Sequence, residues 1–227
     1  LDMSHFPEFD MRNAKCQNYM VEMVEAMHYT GSIVSGSLFS ANRTYRYENE
    51  NGEIEAVDAN PQGPVTDSSG MSGSIGDDVP TENLYKIAKS YGQRTALYKR
   101  LGFDAVTIHM SYRAQVPGQL LSPLTNFRTD EFGGSFENRC RFPLLMLEEI
   151  KKVAGNDMLI EIQFSAEEPE GGYTMEEGIE FLKKAQKYVD IVQVRAADGD
   201  YNHPIPFELN PVPFLELTEK IKKANLD

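Results

Sequence analysis

The sequence predicts an α/β protein built on a parallel sheet, and three observations carry that expectation. Short apolar runs alternate with longer segments of helical periodicity. Their order is one helix, then four strands each followed by a helix. Gly, Pro and Asn, which end helices and turn chains, stand at the junctions. Strands alternating with helices pair in parallel through right-handed crossovers. This order fits either a (β/α) barrel or a doubly wound sheet.

Residues 14–28 read as an amphipathic helix, with Cys16, Met20, Met23, Val24 and Met27 at helical spacing. Such a Met stripe is core packing, and Gly31 ends the helix. Residues 32–38 are a strand candidate whose small side chains suit a crowded interior. Residues 43–78 are polar and hold no clear periodic segment, so a long loop is expected. Its acidic run, Glu48, Glu50, Glu53 and Glu55, reads as solvated surface. Pro80 and Thr81 open a helix with Leu84, Ile87, Ala88 and Tyr91 on one face, and Gly102 closes it. The apolar run 105–108 stops at His109, and a loop dense in Pro, Gly, Asn, Asp and Arg follows. A helix from near Arg139 carries Phe142, Met146, Ile150 and Val153. Gly155 and Asn156 turn into a strand over 158–164, with Gln163 near its carboxyl end. Thr174 and Glu177 form a capping box for a helix carrying Met175, Ile179, Leu182 and Ala185. Residues 190–194 make the fourth strand, and a last helix runs over Phe214, Leu217 and Ile221.

The chain's 227 residues suffice for one domain with a sizeable core. Hydrophobic residues at 41% and charged residues at 25% place it among soluble globular proteins. A formal net charge of -13 repels nucleic-acid phosphates and anionic membrane surfaces. Cys16 and Cys140 lie far apart and outside any CxxC pattern, which reads as two buried thiols in a reducing compartment. The amino terminus shows no basic, apolar signal segment, and no apolar run approaches the roughly 20 residues of a membrane span. A cytoplasmic protein is expected. His5 and His28 have no ligand spacing, so no metal site is expected. Oligomeric state is left open.

A polar residue at the end of a buried strand, followed by a structured loop, is how an α/β protein builds a reaction site. His109 and the loop after it have that form. Within the loop, LSPLTNFRTDEFGGSFENR (residues 121–139) resembles the signature of the Old Yellow Enzyme family, the NADH:flavin oxidoreductases. It is most similar to the branch holding dienoyl-CoA reductases and the bile-acid and steroid ene-reductases of anaerobes. Weaker resemblance runs from SHFPEFD near the start to PVPFLELTEKIKK near the end. The resemblance selects the (β/α)8 TIM barrel, which needs eight strands and typically about 250 residues. The four strands found here resemble the third to sixth βα units. Residues 1–227 are thus expected to form one partial barrel domain, either part of a longer chain or completed by a partner. Longer members of the branch append an iron–sulfur cluster and a second nucleotide-binding domain, and the four-cysteine motif is absent from this sequence.

The resemblance also implies chemistry. It implies FMN as cofactor, NADH or NADPH as reductant, and a small unsaturated carbonyl compound as substrate. Two side chains on the loop after the fourth barrel strand would grip the carbonyl oxygen and stabilise the charge that grows there. His109 matches the first. Counting forward from His109, Tyr112 takes the second position and Ala114 that of the proton donor. Counting back from Ser122 and Pro123, Arg113 takes the second and Gln115 the donor. Both registers stand. Tyr112 suits a proton donor, whereas Arg113 suits a carboxylate or enolate. Two flavin-facing positions depart from the family pattern. Ser37 stands where an amide is usual, in Ser37-Leu38-Phe39-Ser40, and Gln163 stands where an Arg faces the ring. Gln163 can donate a neutral hydrogen bond but lacks the charge that stabilises a reduced, anionic flavin. Asn126, Arg128, Asp130, Gly133, Gly134, Asn138 and Arg139 read as architecture, and His203 as an exposed loop residue.

The leading expectation is a flavin-dependent oxidoreductase that reduces or desaturates the C=C bond of an α,β-unsaturated carbonyl compound. The alternative is a non-catalytic barrel relative with a decayed flavin site, acting as a ligand-binding or interaction module. Ser37, Gln163 and Ala114 favour that alternative. A barrel aldolase or lyase would want a Schiff-base Lys or a carboxylate metal site at a strand end, and neither is found.

Overall fold

A computed structural model describes residues 13–39, 44–59, 79–113, 115–195 and 215–224. The expectations for His5, Ala114 and His203 fall outside those residues. The chain opens with α1 (Ala14–Tyr29), capped by the Asn13 side chain on the Lys15 amide. Met20 and Val24 are its buried face, and Gly31 turns the chain with φ +79. His28, near the end of this helix, bonds Asp104 at 2.7 Å, and Asp104 also accepts the Val34 amide at 2.8 Å. These bonds, the Val34 one foremost, hold the Asp104 carboxyl below its usual range. His28 thus ties the helix end to the sheet.

Four strands form the parallel sheet: β1 (Ser35–Ser37), β4 (Ala105–His109), β5 (Leu159–Ser165) and β6 (Ile191–Arg195). They lie in the order β1-β4-β5-β6. This agrees with the predicted alternation. The first strand is shorter than expected, and each of the other three ends one residue later. Gly36 needs to be small for a different reason than interior crowding. A Cβ there would sit 3.0 Å from the Tyr98 ring on the outer, helix-covered face.

The second sheet was not expected. β2 (Thr44–Glu48) and β3 (Ile54–Asp58) form an antiparallel hairpin inside the segment read as loop. Tyr45 and Tyr47 alternate inward, and Tyr45 pairs with the buried Val57. Asn49 closes the turn by accepting the Asn51 and Glu53 amides, and Gly52 takes φ +80. The acidic run therefore includes strand residues, and Glu55 bonds Tyr47 and Lys86.

Helices α2 (Thr81–Arg100), α4 (Phe136–Ala154) and α5 (Met175–Ala185) cover one face of the parallel sheet. Val106, Ile108, Ile160, Ile162 and Phe164 are fully buried on that face. Phe181 of α5 stacks on Phe164 at 5.5 Å. The capping box is present: Thr174 accepts the Glu177 amide at 3.3 Å, and Glu177 accepts the Thr174 amide at 3.1 Å. Cys140 is buried in α4 and Cys16 only half buried, a correction to the expectation of two buried thiols. Burial pushes the Cys140 thiol up to about 12, so it stays protonated.

Between β4 and α4 lie a 3₁₀ turn (Ser111–Arg113), the fully buried α3 (Gln115–Leu121) and the signature loop. Gly118 lets α3 approach β4, since a Cβ there would meet the Met110 carbonyl at 2.7 Å. The signature loop is held by its own side chains. Asn126 donates to the Leu120 and Phe132 carbonyls, and Arg139 to the Leu121 and Gly134 carbonyls. Arg128 joins Asp130 to the Val79 carbonyl. Of the glycine pair, only Gly134 takes positive φ, whereas a Cβ on Gly133 would overlap the Arg128 carbonyl oxygen. The last helix is α6 (Leu215–Lys223), which buries Ile221.

Burial works to raise the Asp130 carboxyl, but hydrogen bonds from Arg128, Thr81 and the Phe132 amide outweigh it and hold it at about 2. A carboxyl lowered on folding contributes stability above its unfolded pKa and loses it as pH falls through the folded one. D130N is therefore expected to cost on the order of 2 kcal/mol at neutral pH. It should also flatten the stability lost between the ordinary 3.8 and about 2. Urea denaturation across that range reads both effects.

Candidate active site at the carboxyl rim of the sheet

Side chains alternate across a strand, so each residue buried under the helices is followed by one on the inner face. The inner face is polar. Ser35 bonds Thr107 at 2.7 Å, and Thr107 donates to Glu161 at 2.7 Å, which fixes three strands' side chains on one side. Two residues further along, His109 on β4 pairs in register with Gln163 on β5, and Gln163 with Gln193 on β6. Arg195 ends β6 two residues beyond Gln193. Ser37 lies on the same face, one row below, opposite Thr107. Its carbonyl accepts the Tyr98 hydroxyl, and Arg94 clasps the Leu38 and Phe39 carbonyls, so α2 pins this end of β1.

After His109 the chain turns sharply. Tyr112 (φ 58), Arg113 (φ 57) and Gln115 (φ 57) are left-handed without being glycine. Each such residue costs about 1–3 kcal/mol and persists only where its surroundings over-determine it. Here the Tyr112 amide donates to Ser165 Oγ at 3.1 Å, fastening the turn to the end of β5. Arg113 meets Glu168 at 3.5 Å, and Tyr45 donates to Gln115 at 3.3 Å. Glu168 also accepts the Ser122 hydroxyl at 2.6 Å, and burial pushes its carboxyl up despite these partners.

The turn brings Tyr112 beside His109, with ring centroids 6.0 Å apart. Phe39 stands edge-on to His109 at 6.3 Å. Arg195 Nε donates to the Tyr112 hydroxyl at 2.9 Å, and its guanidinium lies over the Tyr112 ring at 5.3 Å. Of the five residues singled out in the sequence, His109, Tyr112 and Gln163 thus lie at the rim, with Ser37 one row below on the same face. The Arg113 guanidinium is engaged by the buried Glu168 instead.

Phe39, Gln193 and Arg195 were not singled out. The last strand was read as ending at Val194. One more residue would have put Ile191, Gln193 and Arg195 on the inner face by alternation.

The His109 imidazole is held down at about 4, first by burial and then by the Arg195 charge. It is neutral at pH 7. Its Nδ1 and the Gln163 Oε1 are buried without a hydrogen-bond partner among the described residues. A buried polar atom left unpaired costs about 1–3 kcal/mol, so both atoms fit a site that completes its bonds with a ligand.

The carboxyl ends of parallel strands, with helices behind them, are where α/β folds place their ligand sites. The chain matches the model of the NADH:flavin oxidoreductase / NADH oxidase family over residues 14–223 and belongs to that family. It is 32% identical to the NADH oxidase of Thermoanaerobacter brockii over 94% of this chain and 34% of the relative. It is 36% identical to the cinnamate reductase of Clostridium sporogenes over 39% of this chain and 13% of the relative. Among solved structures, 2-naphthoyl-CoA reductase bound to 2-naphthoyl-CoA superposes with a TM-score of 0.72. That match has 22% identity and covers 95% of this chain and 34% of that one. The chain thus spans about a third or less of these relatives and holds four βα units of a (β/α)8 barrel. No helix among the described residues is long and apolar enough to cross a membrane.

A histidine lowered on folding contributes stability that is complete above its unfolded pKa and lost as pH falls. For His109 that window runs from the ordinary 6.5 down to about 4. NMR titration of the imidazole should give a midpoint near about 4, and a midpoint near 6.5 would mean the ring is solvated.

Proposed function

We propose that this chain forms part of a flavin-dependent NAD(P)H oxidoreductase that reduces the C=C bond of an α,β-unsaturated carbonyl compound. The observation that carries this reading is the neutral, half-buried His109 beside Tyr112 at the rim, with Nδ1 unpaired. Membership of the flavin oxidoreductase family and similarity to a cinnamate reductase support it.

Gln163 and Ser37 would hold FMN through neutral hydrogen bonds, a chemistry that the unpaired Gln163 Oε1 fits. FMN, when bound, supplies the hydride. A neutral imidazole donates a hydrogen bond without a resident charge, so it stabilises an oxygen most as negative charge grows there. Tyr112, rather than Arg113, is the second donor in this reading, because Glu168 engages Arg113. The hydride goes to the β-carbon and a proton to the α-carbon, so the C=C bond is reduced and NAD(P)H is oxidised. In this reading the Tyr112 hydroxyl holds or passes that proton.

The full-length protein should be yellow, bleach anaerobically with NAD(P)H and recolour with an unsaturated carbonyl compound. H109A is expected to lower kcat/KM by roughly 10²–10³-fold, the usual effect of deleting an oxyanion donor. Y112F should lower it less. The replacements at Ser37 and Gln163 favour a second reading, a non-catalytic binding module. Colourless protein that binds an unsaturated ligand without turnover would select it.

A further inference from the structure

We propose that Arg195 is the substrate-anion residue of this site, selecting α,β-unsaturated compounds that carry a carboxylate. This inference rests on the reductase reading for the ligand's identity, but its evidence is the state of one cation. All hydrogen bonds of Arg195 among the described residues go to neutral groups. Nε donates to the Tyr112 hydroxyl at 2.9 Å and Nη1 to Gln193 Oε1 at 3.2 Å. The Nη2 edge of the fork has no partner there. Among the described arginines, Arg113 is matched by Glu168, Arg128 by Asp130 and Arg139 by Glu177, while Arg94 is held by the Leu38 and Phe39 carbonyls. The inner-face carboxylate, Glu161, accepts from Thr107. It lies four residues below the level of Ser165, which pairs with Arg195, a rise of roughly 13 Å.

Geometry aims this unmatched charge at the ligand. Tyr112 fixes the guanidinium plane, and Tyr112 is itself locked by its left-handed backbone and its bond to Ser165. His109 beside it contributes no charge at neutral pH. Among the described residues, Arg195 is thus the cation that lies against Tyr112, beside His109, without a carboxylate partner. A planar fork with a free edge matches a carboxylate's two oxygens, which it recognises better than one neutral carbonyl oxygen. The pairing also has a chemical use. A carboxylate's charge opposes hydride addition to its conjugated double bond, and a guanidinium partner withdraws part of that charge.

Binding of 3-phenylpropanoate and its neutral isostere 3-phenylpropanamide to the full-length, flavin-loaded protein tests this by calorimetry. Wild type should prefer the acid. R195Q should weaken the acid roughly ten- to a hundredfold, as expected for losing a charge-assisted bond, and move the amide less than threefold. R195K, which keeps charge without the fork, should fall between. Equal binding of acid and amide by wild type overturns the proposal. So does equal weakening of both by R195Q, which would make Arg195 a prop for Tyr112. Loss of flavin in R195Q with the acid-to-amide ratio unchanged also overturns it and assigns the charge to the flavin. The readout is binding, so failure to reduce any unsaturated carbonyl sinks the reductase reading alone.

Discussion

The two-residue alternation of four parallel strands is the constraint on which the rest of the structure depends. It divides β4 and β5 into an outer set, Val106, Ile108, Ile160, Ile162 and Phe164, and an inner set, Thr107, His109, Glu161 and Gln163. The outer set is driven under the helices by the removal of apolar surface from water. The inner set follows without choice, because a slip of one residue would expose every apolar side chain. Burial of the isoleucines is therefore what delivers the imidazole to the opposite face.

Position along the strand is fixed by the second element, the left-handed turn. Tyr112 and Arg113 hold an unfavourable backbone because the ends of β5 and its loop grip them through Ser165 and Glu168. The two neighbours then serve opposite ends. The Arg113 charge is spent internally on a buried carboxylate, whereas the Tyr112 ring is left at the rim with Arg195 over it. The signature loop acts at one remove, tying α3, α4 and the start of α2 together through Arg128, Asn126 and Arg139. Its Asn126, Arg128 and Arg139 side chains are engaged in holding the loop.

Much of this was legible in the sequence. Apolar runs ending in His109 and Gln163, the Thr174–Glu177 box and the motif at 121–139 gave the parallel order and the rim. The hairpin was missed because residues 43–78 are polar and rich in Gly, Asn, Asp and Ser, masking the short alternation of Tyr45 and Tyr47. The Asn51-Gly52 pair was its available signal. Arg195 was missed by one residue of strand length. The choice between Tyr112 and Arg113 was beyond sequence reasoning, since it depends on Ser165 and Glu168, more than fifty residues away. No local pattern announces such a partner.

The central claim is that the inner row of the sheet, His109 with Gln163, faces a bound flavin and its substrate. A crystal structure of the full-length, FMN-loaded protein with an unsaturated ligand tests it most directly. The account predicts His109 and Gln163 within hydrogen-bond distance, about 2.7–3.2 Å, of ligand or flavin atoms. Flavin bound at the opposite rim, or a His109 ring turned into the helical layer, would contradict it.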